Sequence, residues 1–108
     1  MPPPASDDTS EALQNMQESA AAAAAFLKTL AHEGRLMILC HLSAGERSVS
    51  ELEALLNMRQ AAVSQMLARL REDGLVATRR EGKTIYYSLN DGNTEEIIAL
   101  LYKQFCSS

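Results

Sequence analysis

Between Ser48 and Gly74 apolar residues return at every third or fourth position, twice over, with a break between the two runs. Val49, Leu52, Leu55 and Leu56 form the first run, and Val63, Met66, Leu67 and Leu70 the second. That period puts each set on one face of a helix. Ser48, with Glu51 three residues on, has the spacing of a capping box at the start of the first helix. Asn57 tolerates the left-handed backbone of a tight helix end. The pattern runs the second helix from about Arg59 to Asp73, where Gly74 stops it. With the apolar stripe inward, Gln60, Ala61, Ser64, Gln65 and Ala68 face outward. Two helices joined by a short turn, the second presenting small and amide side chains, make a helix-turn-helix.

The pattern then changes. Leu75 to Thr78 and Thr84 to Leu89 are rich in β-branched and aromatic residues, and Arg79-Arg80-Glu81-Gly82-Lys83 between them is a mostly basic turn. A hairpin with a cationic tip directly after a helix-turn-helix describes a winged helix, whose tip sits on phosphates or in a minor groove. Upstream, Leu13, Met16, Ala20, Ala23, Leu27 and Leu30 predict a helix from Thr9 or Ser10 to about Leu30. Its seam serves either a dimer contact or burial against its own domain. Ala31 to Ser43 is the next helix, with Leu36, Leu39 and Cys40 on one face. Downstream, Asn93 or Thr94 caps a last helix in which Ile97, Ile98, Leu100, Leu101, Tyr102 and Phe105 are apolar around most of the circumference. Such a helix needs a cover, which favours pairing with the first helix across a two-fold axis. The expected fold is mainly α with a small β-hairpin: four helices, two strands and a fifth helix. Residues 1–9 are expected to be a disordered tail, 10–106 one domain and 107–108 a second tail.

At 108 residues and 46% hydrophobic content, one small soluble domain is expected. No apolar run approaches the ~20 residues of a membrane span, and the start does not resemble a signal peptide. The expectation is therefore a cytoplasmic protein without a membrane partner. A net charge of −4 argues against nucleic acid until its distribution is read. From Asn57 to Lys83 there are six basic residues against three acidic, and the remainder sums to −7. The positive field sits on the expected DNA face alone. DNA contacts are expected from Arg59, Gln60, Ser64 and Gln65 on the helix, and from Arg79, Arg80 and Lys83 on the hairpin. Catalysis fits poorly, since there is no Gly-rich phosphate loop, no Cys-x-x-Cys and no nucleophile with a base and an orienting acid at recognisable spacing. Neither enzyme activity nor a cofactor is expected. His32 and His41 are read as capping or packing residues, and Arg35 as support for the fold or a phosphate.

Leu30-Ala31-His32-Glu33 with Arg35-Leu36, Val49-Ser50-Glu51-Leu52, Ala62-Val63-Ser64-Gln65, Leu70-Arg71-Glu72-Asp73-Gly74-Leu75-Val76, and Arg80-Glu81-Gly82-Lys83 with Tyr86-Tyr87 keep a fixed order and spacing. Together they resemble the ArsR/SmtB repressors, over roughly Phe26 to Asp91. The resemblance implies a winged-helix homodimer, built through its first and last helices, that binds duplex operator DNA. Arg59 stands where that family usually has a small capping hydroxyl, and Met66 replaces its common histidine. Neither of the family's two metal sites survives. One falls on Ser50-Glu51-Leu52-Glu53, without a thiol; the other keeps Asp91 but has Asn93, Gln104 and Ser107 at the remaining positions. A lone carboxylate does not hold a transition metal.

Two cysteines remain, Cys40 and Cys106. They match the sensing positions of the family's dithiol branch, the persulfide-responsive SqrR/BigR type. The resemblance thus implies a repressor whose DNA affinity falls when reactive sulfur species oxidise Cys40 and Cys106. Two alternatives stay open: a metal or metalloid site from Cys40, Cys106 and His41, and a repressor with no ligand.

Overall fold

The computed structural model describes residues 9–90 and 92–106. Residues 1–8, 107–108 and Asp91 lie outside these, so the two tails and the surviving metal-site carboxylate are not placed. The elements run α1 (Thr9–Leu30), α2 (Glu33–Ser43), β1 (Arg47–Ser48), α3 (Val49–Leu56), α4 (Gln60–Glu72), β2 (Val76–Glu81), β3 (Thr84–Leu89) and α5 (Gly92–Phe105). Thr9, assigned above to the tail, is the first residue of α1.

The apolar period of each segment becomes its buried face. Val63, Met66, Leu67 and Leu70 of α4 meet Ile38, Leu39 and Leu42 of α2 and Leu52 of α3, and Ile98 of α5 closes the same core. α2 lies in the middle, touching every other helix as well as β3. It begins two residues later than the pattern suggested, because His32 is its N-cap: Nδ1 accepts the Arg35 backbone N–H at 3.3 Å. Gly34, one turn in, lets α4 come close, since a Cβ there would run into the Met66 sulfur. Met66 therefore fills space at the α2–α4 contact.

The winged helix-turn-helix is as expected, with two corrections in the sheet. A third strand, β1, precedes α3 and pairs antiparallel with β3, Arg47 opposite Tyr87 and Ser48 opposite Tyr86. Two residues are too few to show a period-two pattern, so this stretch reads as loop. The hairpin is also longer than its composition suggests. β2 runs to Glu81, which pairs with Thr84, and the turn proper is Gly82-Lys83. Gly82 has φ +63° and Lys83 does not have positive φ, the pattern of a type II′ turn that suits the strands' twist.

α1 buries only the end of its seam in its own domain. Phe26, Thr29 and Leu30 at its end pack on the body, whereas Leu13, Ala20, Ala23 and Leu27 are exposed. α5 is likewise half covered: Ile98 is buried and Ile97 and Leu101 partly so, but Leu100, Tyr102 and Phe105 face out.

The two faces of α4 should therefore respond differently to truncation. Leu67→Ala deletes a fully buried side chain and is expected to cost about 2–5 kcal/mol. Gln65→Ala on the exposed face should stay within about 0.5 kcal/mol. Urea denaturation of both variants checks this, and similar midpoints for the two would contradict the burial described.

Candidate nucleic-acid interface and thiol cleft

α3 sets up α4. The Ser48 hydroxyl accepts the Glu51 backbone N–H at 3.2 Å, and the Ser48 N–H donates to Glu51 Oε1 at 2.9 Å. This reciprocal pair satisfies two end donors of α3, and the Ser48 N–H is the main cause holding the Glu51 carboxyl below its usual range. Asn57 (φ 53°, ψ 49°) ends α3 in the left-handed region and turns the chain into α4. Arg59 is the N-cap of α4 and makes no side-chain capping bond, as its chemistry predicts.

From that start, Gln60, Ala61, Ser64, Gln65 and Ala68 are all exposed. Steps of three and four align Gln60, Ser64, Ala68 and Arg71 along one strip. Arg71, exposed at the end of the strip, was not singled out from the sequence; its three-residue step from Ala68 is the signal that could have found it. Arg69 points elsewhere, its Nε 2.8 Å from Asp73 Oδ2.

On the hairpin the cations divide. Arg79 Nε lies 2.7 and 2.9 Å from the two Glu46 oxygens, and its Nη1 lies 2.9 Å from Glu81 Oε2. Its guanidinium also sits 4.7 Å above the Tyr86 ring centroid. Arg80 points to the opposite face of the strand, because successive side chains alternate. Among the described ion pairs none engages Arg59, Arg71, Arg80 or Lys83, and all four side chains are exposed.

The two cysteines sit on the other side of α2. Cys40 and Cys106 are both free thiols, the first half-buried and the second exposed. They line one cleft of about 550 Å³ between α2 and α5, with Met37, His41, Ala99 and Tyr102 among its walls. A smaller cavity of about 290 Å³, lined also by Leu36, Leu101 and Phe105, opens on the same two thiols. Burial pushes the Cys40 thiol up from its ordinary pKa, and the nearby Cys106 thiolate adds to that. Among the described residues no three histidine, cysteine or acidic side chains come together as a metal-binding group.

The model of the arsR family of bacterial regulatory proteins matches residues 32–78. The biofilm growth-associated repressor of Agrobacterium fabrum is 50% identical over 95 residues, 88% of this chain and 81% of that protein. Reduced HlyU from Vibrio cholerae matches in structure with a TM-score of 0.83 and 45% identity, covering 86% of this chain and 98% of that one. The transcriptional repressor BigR from Xylella fastidiosa gives a TM-score of 0.79 at 42% identity, over 88% and 97% of the two chains.

The unequal burial of the two thiols has a direct readout. Cys106 should alkylate with iodoacetamide first, because it is exposed. Cys40, with a raised pKa, remains protonated at neutral pH, and its alkylation should accelerate only above the ordinary thiol range. Peptide mass mapping over a pH series checks both, and equal labelling at neutral pH would contradict the assigned environments.

Proposed function

The chain belongs to the arsR family of bacterial regulatory proteins, and on that premise we propose that it is a homodimeric operator-binding repressor released from DNA when reactive sulfur species oxidise Cys40 and Cys106. Regulation of transcription through DNA is common to its relatives, and their names include both repressors and an activator. The observation that carries the sensing step is the shared cleft: one thiol from α2 and one from the end of α5 open onto the same space.

In this reading α4 enters the major groove, with Gln60, Ser64 and Gln65 at base edges. Arg59, Arg71, Arg80 and Lys83 meet the backbone or a minor groove. Arg79, held by Glu46 and Glu81, is better suited to bracing the hairpin than to leaving those carboxylates for a phosphate. The uncovered faces of α1 and α5 form the dimer contact, which accounts for the exposure of Leu13, Leu27, Leu100 and Phe105 in the single chain.

The persulfide is itself the two-electron oxidant, and no other is needed. Cys106 attacks the sulfane sulfur of a persulfide RSSH; RSH leaves and Cys106 carries the persulfide. Cys40 then attacks Cys106 Sγ, its proton passing to the departing hydrosulfide, which leaves as hydrogen sulfide as the disulfide closes. The expelled sulfur has taken up the two electrons the thiols lost. If a second RSSH has first converted Cys40 to its own persulfide, the same displacement closes a trisulfide. A direct disulfide requires Cα atoms within ~7 Å, so longer sulfur chains relax the demand on distance. Either link ties α2 to the end of α5. An altered dimer contact then shifts the two recognition helices from the ~34 Å spacing of successive grooves.

Two measurements test this. On an operator selected from random duplex DNA the complex should contain two chains. Gln65→Ala should cost about 1–3 kcal/mol and relax preference at one or two base pairs. Lys83→Ala should weaken all sequences alike and lower the salt slope by about one unit. Parent-like binding by both variants would remove the assigned DNA face.

In the second, glutathione persulfide should lower the parent's operator affinity about 5- to 150-fold. Cys40→Ser and Cys106→Ser should stay bound, while hydrogen peroxide run in parallel shows whether sulfur transfer is required. Release of the double serine variant at the same dose would remove the dithiol mechanism.

A further inference from the structure

The C-terminal ends of α1 and α4 meet at a single carboxylate oxygen. The Thr29 hydroxyl lies 2.5 Å from Asp73 Oδ2, and Arg69 Nε lies 2.8 Å from the same atom. On its other side Thr29 is held by α2, whose Arg35 Nε donates to the Thr29 carbonyl at 2.8 Å. Three helices thus converge on one polar knot.

Two features mark the knot as more than ordinary surface pairing. A buried helical threonine normally returns its hydroxyl proton to the carbonyl four residues back. Ala25 O does lie 3.3 Å away, yet Asp73 is much nearer and takes the single proton. An aspartate at the C-cap of α4 also faces the negative end of that helix's dipole, an unfavourable position unless compensated. The compensation comes from Thr29 first and Arg69 second, and together they hold the Asp73 carboxyl below its usual range. The backbones of α1 and α4 otherwise barely approach one another. Thr29 is 2% exposed, and its hydroxyl is thus the chief polar link between α1, which would carry the dimer seam, and α4, which would read DNA.

Its position makes it a lever. Gln60, at the reading end of α4, is thirteen residues from Asp73, about 20 Å along the helix. A rotation of about 10° at the knot therefore displaces the reading end by about 3 Å, close to the 3.4 Å step between base pairs. We propose that the Thr29–Asp73 bond is a positioning contact that fixes the angle of the recognition helix relative to the dimer, and so sets the half-site spacing the protein accepts. The proposal rests on the DNA-binding dimer put forward above.

The test uses an operator selected with the full chain, then re-synthesised with one base pair added to or removed from the centre. The parent should prefer the selected spacing by at least about fivefold. Thr29→Val keeps the shape and removes the hydroxyl, so this preference should fall to within about twofold. Thr29→Ser, which restores a donor, should recover it. Asp73→Ala removes the acceptor from an exposed site and should flatten the preference in the same way, deciding the matter if the valine variant does not fold. Parent-like spacing preference in folded Thr29→Val, or in Asp73→Ala if the valine variant does not fold, would overturn the proposal. Failure of the parent to select any duplex would instead overturn the DNA-binding reading.

Discussion

The packing of α4 against α2 is the constraint on which the remaining geometry depends. Val63, Leu67 and Leu70 are fully buried, and four apolar residues at steps of three and four leave one rotational setting that buries them all. That setting turns Gln60, Ser64 and Gln65 to solvent without any interaction of their own to orient them. α2 serves two contacts at once: Gly34 admits the Met66 side chain on the α4 side, and Cys40 lines the cleft against α5. On the proposed function, a helix shared between the reading face and the thiol cleft would give chemistry at one a mechanical path to the other.

What could be read from the sequence was local. The capping box, the left-handed Asn57, the glycine stop at residue 74 and the apolar stripes each need only a few adjacent residues, and each is where the pattern put it. What could not be read was long-range and polar. Thr29 meets Asp73 across 44 positions and Arg79 meets Glu46 across 33, and neither pair has a compositional signature. β1 escaped because two residues carry no period. The seam on α1 showed that a partner was needed but not which one; exposure of Leu13 and Leu27 removes this chain's own core as the answer.

The ion pairs also refine the charge argument. Counting placed six cations on the DNA side of an acidic chain, but Arg69 and Arg79 are held by carboxylates. In the proposed complex the field that approaches a duplex would come mainly from Arg59, Arg71, Arg80 and Lys83, spread from the start of α4 to the hairpin tip. Four separated cations would then steer and orient without gripping every sequence, leaving the amides of α4 to discriminate as proposed.

Cys106 follows the last residue of α5, and its backbone N–H closes that helix's final turn by donating to the Tyr102 carbonyl at 2.8 Å. Helix ends open locally at little free-energy cost, whereas residues packed in a core are the last to open, and α2 contributes Ile38, Leu39 and Leu42 to that core. On the proposed mechanism a link between the thiols would tie the last turn of a helix to a residue within a packed one. The last turn can absorb the geometric demands of the bond while the core keeps its packing. On the proposed mechanism oxidation and reduction would then cycle without refolding of the core.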